Sequence, residues 1–256
     1  MVAGGGGASY NGRMMHDVPK LRAVIEEGMA AGLHVGAQVF AMVDGEAVVD
    51  LAVGLARPAE GTAPAVGMTS ETLMVWLSAG KPATAVAIGM LADRGLLGFE
   101  DPVARHIPEF GQQGKEGVTI RHLLTHTAGI RALDAGYPFQ TWEQSVEKIF
   151  AMRLERDWAP GERAGYHTHT SWYVLGEIVR RVTGIAVETW VREEIFERAG
   201  MVDSWMAMTA ERYRAYGERI GVLLDTSKPE APRPMMNLDT ELGAGRARPS
   251  ASCRGP

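Results

Sequence analysis

A tight β-hairpin near the start of the chain limits the fold more than any other feature. Two runs rich in apolar and β-branched residues, 35–43 and 46–53, are separated only by Asp44 and Gly45. An Asp-Gly pair suits the positive φ angles of a two-residue hairpin turn. No alternating βαβ pattern follows, which argues against a doubly wound parallel sheet. The sequence therefore predicts a mixed α and β fold built on an antiparallel sheet.

Helical periodicity dominates the rest of the chain. Apolar residues recur at helical spacing in segments that end at a glycine or a loop. These segments are 18–31, 82–94, 119–125, 142–152, 171–182 and 187–199. Thr119 is suited to cap the third of them. We expect an antiparallel sheet flanked by helices, together with a helical region in the middle of the chain.

Charge and cysteine content exclude several classes of partner. The 26 basic and 31 acidic side chains leave a net charge of −5, without the basic patch of a nucleic-acid or membrane-surface protein. A small-molecule substrate is the expected partner, and the oligomeric state is open. Cys253 is the single cysteine, so the sequence predicts neither an intrachain disulfide nor a cysteine metal cluster. We expect neither a metal nor an organic cofactor.

The N-terminal residues lack the basic start and the apolar run of a secretory signal. We expect residues 1–15 to be a flexible leader and the chain to be cytoplasmic. The most apolar later stretch, 83–92, is shorter than the roughly 20 residues that span a bilayer.

Ser78 and Lys81 form the first candidate for chemistry. They stand three residues apart at the start of the apolar 82–94 segment, so their side chains share one helix face. A serine hydroxyl becomes a good nucleophile when a neighbouring group accepts its proton, and a desolvated lysine can take part in this. The N–H groups of a helix N-terminus can also stabilise an oxyanion.

The same Ser-X-X-Lys spacing recurs at Ser145 and Lys148. That pair lies among charged residues, and a solvated helix face explains it without any catalytic role. Ser78 differs because apolar residues surround it in the sequence. From local features alone, a plain helix cap and a nucleophile remain equally open at Ser78.

Three sequence motifs in a fixed order support a catalytic role for Ser78. The segment 77–81, read LSAGK, is followed by an apolar helix, by Gly95-Leu-Leu-Gly at 95–98 and by the run THTAG at 125–129. Pro160-Gly161 then precedes Tyr166 and the run VLGEIVRRVTG at 174–184. In this order the chain resembles the β-lactamase-related serine hydrolases, which include class C β-lactamases, D-Ala-D-Ala carboxypeptidases and family VIII carboxylesterases.

The resemblance implies a β-lactamase/transpeptidase-like fold and assigns roles to three residues. Ser78 would attack a carbonyl carbon, Lys81 would polarise the serine hydroxyl, and Tyr166 would relay the proton to the leaving group. The intermediate would be an acyl-enzyme. A free tyrosine has a pKa near 10, so this role requires a nearby positive charge such as Lys81.

One departure from the family pattern bears on the substrate. By resemblance, β-lactamases and carboxypeptidases carry an asparagine two residues after the tyrosine, where this chain has Thr168 preceded by His167. A tyrosine followed by histidine is similar to the esterase branch. We therefore expect hydrolysis of a carboxylic ester, less readily of a β-lactam or D-amino-acid peptide, with His167 and Thr168 binding substrate or His167 supporting Tyr166.

A second departure concerns the end of the chain. The resemblance ends near Leu242, before the Lys/His-X-Gly motif of the family, and residues 243–256 consist almost wholly of small residues, arginine and proline. We expect residues 16–242 to be an incomplete hydrolase domain with its C-terminal strands missing. We expect 243–256 to be a disordered tail, with a composition that suggests a shifted reading frame. A truncated or non-catalytic relative without hydrolase activity stays the alternative.

Histidine pairs offer a metal-site alternative. His122 and His126 stand four apart on a predicted helix, but the glutamate of a His-Glu-X-X-His site is missing. His167 and His169 form an equally weak pair, and packing beneath the site explains these side chains better. Large aromatic side chains, for which core packing is the commoner role, are the candidates for an apolar acyl pocket. They are Trp76, Tyr137, Phe139 and Trp172.

Overall fold

The computed structural model describes residues 9–10, 13–14, 18–131, 140–228, 232–234, 236–237 and 248–249. The chain divides into two compact units. The first comprises residues 1–75, 210–240 and 247–256, and the second comprises 76–209 and 241–246. Most of the expected leader and tail lies outside the described residues, so both stay predictions.

The elements follow one another as a short β segment, a helix, a hairpin and a long helical region. The strands are β1 (Ser9–Tyr10), β2 (Arg13–Met14), β3 (Gly36–Val43), β4 (Glu46–Arg57), β5 (Val66–Gly67), β6 (Leu224–Asp225), β7 (Arg233–Pro234), β8 (Met236–Asn237) and β9 (Arg248–Pro249). The helices are α1 (Pro19–Ala30), α2 (Lys81–Asp93), α3 (Val103–His106), α4 (Ile120–Leu124), α5 (Trp142–Ala151), α6 (Thr170–Thr183), α7 (Val187–Val191) and α8 (Ala210–Tyr216).

The predicted hairpin organises the first unit. Strands β3 and β4 pair antiparallel, with Val43 opposite Glu46, and β5 extends the sheet on the other side of β4. Asp44 and Gly45 both have positive φ angles, 50° and 78°, as the Asp-Gly turn requires. The antiparallel sheet that the sequence predicts is confirmed.

Helix α1 covers one face of this sheet. Ile25 of α1 packs in a buried cluster with Val49, Leu51 and Val53, which lie two apart on β4 and therefore point to the same face. Phe40 on the edge strand β3 is 53% exposed. Apolar burial against α1 therefore accounts for the register of the hairpin on this face.

The second unit has a helical core. Helices α2 and α6 pack against each other and contribute fully buried residues such as Ile88, Leu91 and Ile178. Helix α6 ends at Gly184, whose φ of 75° gives the left-handed C-cap that the sequence predicts. Thr119 likewise caps α4, with its side chain accepting from the backbone N–H of His122.

The predicted helix 187–199 differs in its second half. Helix α7 continues into a π-helical turn, Arg192–Phe196, in which the N–H of Glu197 donates to the carbonyl of Arg192. The extra residue in this turn changes which side chains face inward. Phe196 is buried there and contacts Trp76 edge-on, with ring centroids 5.7 Å apart.

Among the described residues of the second unit, the charged side chains of Lys115 and Glu177 are fully buried, and neither was predicted from the sequence to be so. Glu177 on α6 accepts hydrogen bonds from Trp142, Arg180 and Arg181. Burial opposes its ionisation, yet these hydrogen bonds lower the pKa of the carboxyl overall. The carboxylate thereby joins α5 to α6.

Lys115 is the second buried charge. Its ammonium donates to the backbone carbonyls of Gln112, Phe150 and Met152, so all three of its N–H donors have partners. Burial lowers the pKa of this lysine. The side chain thus joins the C-terminal end of α5 to the loop that follows α3 through hydrogen bonds.

In the part of the chain that the structure describes, every helix is too short or too polar to cross a bilayer.

Replacing Lys115 with methionine tests how much this buried ammonium stabilises the fold. The Lys115→Met change removes the ammonium from three carbonyls, of which that of Gln112 keeps the backbone N–H of residue 115 as a donor. We expect it to lower the free energy of unfolding by about 2–4 kcal/mol. Lys148→Met on the exposed face of α5 is the matched control and should cost less than about 0.5 kcal/mol. Urea unfolding at pH 7 measures both, and equal costs would contradict the assigned role of Lys115.

Candidate active site

Ser78 lies in the turn that leads into α2. A single 3₁₀ turn, Leu77–Gly80, runs directly into α2, and the N–H of Lys81 donates to the carbonyl of Ser78. Leu77 has a φ of 46°, in the left-handed region that costs a non-glycine residue roughly 1–2 kcal/mol. Its side chain is about half exposed, so the backbone of the turn rather than burial of Leu77 holds this conformation. The serine side chain is exposed at the surface.

The three residues that the resemblance singled out meet at one oxygen. Lys81 Nζ donates a hydrogen bond to Ser78 Oγ at 2.8 Å, as expected for residues three apart on one helix face. Tyr166 Oη donates to the same Ser78 Oγ at 2.6 Å from a segment 88 residues further along the chain. The structure therefore brings Ser78, Lys81 and Tyr166 into direct contact.

The electrostatics of Tyr166 favour loss of its proton. Hydrogen bonds with Lys81 and then Ser78, together with the charge of Lys81, lower the pKa of the Tyr166 phenol. Lys81 Nζ also lies 5.1 Å from the centroid of the Tyr166 ring and 5.7 Å from that of Trp172. The half-buried lysine therefore places its ammonium near the rings of Tyr166 and Trp172 while it donates to Ser78 Oγ.

His167, which the sequence suggests as a substrate-binding residue or as a support for Tyr166, follows Tyr166 directly in the chain. Its side chain is fully buried, and its Nε2 accepts hydrogen bonds from the backbone N–H groups of Gly129 and Ile130, both at 3.1 Å. Its Nδ1 is 2.6 Å from the carbonyl of Gly165, to which it donates when Nε2 is the acceptor. Because both ring nitrogens are used by the backbone, His167 is positioned to support the Tyr166 segment.

The other predicted binding residues are placed less specifically. Thr168 is exposed two residues beyond Tyr166. Trp172 packs beside Lys81, and Trp76 is 43% exposed next to the strained turn that carries Ser78. Tyr137 and Phe139 lie outside the described residues.

The duplicate Ser-X-X-Lys motif has a different environment. On α5, Ser145 is fully buried, whereas Lys148 is exposed. The prediction of a solvated helix face is therefore right for Lys148 and wrong for Ser145. The serine hydroxyl is enclosed in the core, where a substrate carbonyl has no access.

The histidines proposed as alternative metal ligands have structural partners. His122 Nδ1 accepts from the N–H of Thr119, and His126 Nδ1 accepts from the N–H of His167. Within the described ranges, histidine, cysteine and acidic side chains form no group of three suited to hold a metal ion.

Sequence reasoning missed the position of His126. Its ring lies 4.9 Å from that of Tyr166 and 5.7 Å from that of Trp172. Its position in the sequence, four residues after His122, suggested a metal-ligand pair. The contact with Tyr166 depends on tertiary structure across 40 residues, which leaves no local signal.

Comparison with known proteins identifies relatives of the chain. Residues 21–245 match the family model described as Beta-lactamase. The chain is 32% identical over 165 residues to the esterase/beta-lactamase LipL of Mycobacterium tuberculosis, covering 63% of this chain and 37% of LipL. It is 28% identical over 246 residues to the esterase EstB of Burkholderia gladioli, covering 88% of this chain and 59% of EstB.

A solved structure of a family VIII carboxylesterase agrees with the fold. It superposes with a TM-score of 0.65 at 29% sequence identity, over 80% of this chain and 55% of the carboxylesterase. The chain thus spans between about a third and three fifths of the length of these three proteins.

Relaxing Leu77 tests whether the strained turn positions the serine. Leu77→Gly removes the steric cost of the left-handed φ, so we expect the free energy of unfolding to rise by up to about 1 kcal/mol. The freer turn should at the same time slow acylation of Ser78 by an active-site probe. Urea unfolding and timed mass spectrometry measure the two effects, and unchanged acylation would show that the strain has no role in positioning.

Substitution of His167 tests its structural role. His167→Leu leaves two buried N–H groups without an acceptor, so we expect a loss of about 2–4 kcal/mol. His167→Gln retains an acceptor oxygen and should lose less. Equal losses in the two variants, measured by urea unfolding, would contradict the role assigned to Nε2.

The pH dependence of stability provides a further check on His167. Burial, the largest influence, lowers the pKa of its imidazole, so folding favours the neutral ring. This contribution is complete above the unfolded-state pKa of about 6.5 and is lost as the pH falls through the lowered folded-state pKa. The free energy of unfolding should therefore decrease less between pH 7.5 and 5.5 in His167→Gln than in the wild type.

Proposed function

The chain belongs to the beta-lactamase family, and on that premise we propose that it is a serine hydrolase that cleaves a carboxylic ester through an acyl-serine intermediate. The observation that carries the proposal is the pair of hydrogen bonds from Lys81 and Tyr166 to Ser78 Oγ. A nucleophile in contact with two groups able to move its proton is the arrangement that acyl transfer requires.

In the structure the Tyr166 phenol donates to Ser78 Oγ, and acylation begins once this phenol has lost its proton to water. The hydrogen bond with Lys81 and the charge of Lys81 favour the resulting phenolate. Ser78 Oγ attacks the ester carbonyl carbon and transfers its proton to the phenolate. The tetrahedral intermediate collapses with cleavage of the C–O bond to the alcohol. Tyr166 returns the proton to that oxygen, the alcohol leaves, and the acyl group stays bonded to Ser78.

Deacylation repeats these proton transfers with water. A water molecule gives its proton to the Tyr166 phenolate as its oxygen attacks the acyl carbon. The bond to Ser78 Oγ then breaks, and Tyr166 returns the proton to Ser78. Lys81 keeps its positive charge beside the phenolate throughout and stabilises the anionic form that both steps need.

Three features support an ester over a β-lactam as the substrate. Thr168 replaces the asparagine that the resemblance associates with holding a lactam amide. The side chains of Trp76 and Leu77 expose apolar surface beside Ser78, which suits an apolar acyl or alcohol group. Two of the relatives, EstB and LipL, are named as esterases, and LipL also as a beta-lactamase.

Intact-mass spectrometry after treatment with a fluorophosphonate tests the proposal. We expect one covalent adduct on the wild-type chain and none on Ser78→Ala, because Ser78 is exposed and in contact with Tyr166. Ser145→Ala is the matched control, since Ser145 has the same spacing to a lysine but is buried, and it should be labelled like the wild type. Tyr166→Phe should slow labelling by about 10²-fold or more.

The same samples distinguish the alternative. A folded wild-type chain that takes up no probe would indicate a non-catalytic relative. Once labelling is established, hydrolysis of p-nitrophenyl esters and of a chromogenic β-lactam compares the two substrate classes. Faster turnover of the β-lactam would contradict the ester assignment.

A further inference from the structure

His126 accepts hydrogen bonds from the backbone on both sides of Tyr166, the candidate base. The backbone N–H of Gly165, immediately before Tyr166, donates to the His126 carbonyl at 2.9 Å. The backbone N–H of His167, immediately after Tyr166, donates to His126 Nδ1 at 3.0 Å. A single residue therefore binds the chain on both sides of Tyr166.

The His126 ring also packs on the Tyr166 side chain. Their centroids are 4.9 Å apart with an angle of 43° between the ring planes, and Trp172 borders the imidazole on another side at 5.7 Å. The backbone of His126 has a φ of 59°, a left-handed conformation that turns the chain after α4. Backbone and ring together hold Tyr166 in the position from which it reaches Ser78 Oγ.

This arrangement requires an unprotonated Nδ1. An imidazolium carries a proton on both nitrogens and cannot accept the His167 N–H, so protonation removes one of the two backbone contacts. It also places a second positive charge near Lys81. Burial, followed by the charge of Lys81, lowers the pKa of His126, so the ring is neutral at pH 7.

We propose that His126 is a positioning residue for the proton-transfer step: its neutral ring and its carbonyl hold Tyr166 on Ser78, and protonation of the ring releases Tyr166 and switches acylation off in acid. The proposal deepens the function proposed above and rests on Tyr166 acting as the base of that reaction. His126 itself takes no part in bond formation.

The charged and titratable groups that face His126 come from two directions. Lys81 approaches from α2, and Tyr166 and His167 approach from the segment before α6. Helix α6 itself contributes the uncharged Trp172. His167 is the second histidine in this set, so it is the rival titrating group between pH 5 and 7.5.

Two substitutions separate the hydrogen bond from the titration. His126→Asn places an amide oxygen where Nδ1 lies, tolerates the left-handed backbone, and does not titrate. His126→Ala removes the acceptor and the ring. The matched control is His122→Asn, because His122 Nδ1 also accepts a backbone N–H, its pKa is also lowered by burial, and Tyr166 is not among its partners.

The first measurement is the rate of fluorophosphonate labelling of Ser78 between pH 5 and 7.5. The wild-type rate should fall below a midpoint under pH 6.5, and His126→Asn should keep the rate at pH 7.5 within about threefold while losing the acid decrease. His126→Ala should be slower by about 10²-fold at every pH, since Tyr166 is displaced. His122→Asn should retain the wild-type profile.

The second measurement does not depend on activity. The ¹³Cζ resonance of Tyr166, assigned with Tyr166→Phe, should shift with the titration midpoint of the His126 ring in the wild type and in His122→Asn. The shift should be absent in His126→Asn. A shift that survives in His126→Asn belongs to His167 and would overturn the proposal, as would an unchanged acid decrease in labelling.

Failure of the parent function has a different signature. A wild-type chain that shows the coupled ¹³C shift but takes up no probe retains the positioning by His126 and lacks the hydrolase activity. A chain that is labelled normally at Ser78 but shows no coupling between His126 and Tyr166 keeps the hydrolase and refutes the positioning role. Thermal unfolding of each variant shows that the comparison is made between folded proteins.

Discussion

The convergence of Lys81 and Tyr166 on Ser78 Oγ is the interaction on which the chemistry of this molecule depends. A lysine three residues away reaches the serine through helix geometry alone, but a tyrosine 88 residues away reaches it only when the tertiary structure is formed. Lys81 donates to the serine, and its hydrogen bond with Tyr166 and its charge lower the pKa of the phenol that faces the serine. Proton transfer and nucleophile placement are therefore consequences of one local electrostatic arrangement.

Two loop segments provide the rigidity for that arrangement through backbone hydrogen bonds. The ring of His167 accepts from Gly129 and Ile130, while the N–H of His167 donates to the ring of His126. Each histidine thus binds the backbone of the other segment. Because irregular backbone cannot satisfy its own N–H and carbonyl groups when buried, these side chains supply the partners that a helix or sheet would otherwise provide.

Local signals predicted much of the fold. The Asp44-Gly45 turn, the Thr119 cap and the Gly184 C-cap each depend on conformations set by a few adjacent residues, and the structure has all three. The three ordered motifs likewise identified Ser78, Lys81 and Tyr166 as neighbours. Residues whose role depends on distant partners were not predictable in this way. Glu177 and Lys115 look like surface charges in the sequence but are buried, and His167 looked like a binding residue although the backbone occupies both its nitrogens.

The separation of Ser78 and Tyr166 along the chain also has a kinetic consequence for folding. Helix α2, which carries the lysine, can form from local contacts, whereas contact with the tyrosine requires closure of a segment of 88 residues. Non-local contacts of this kind usually form late, after helices are in place. Ser78 thus becomes able to act as a nucleophile only in the last stage of folding. A partly folded chain with native helix content would still be chemically inert.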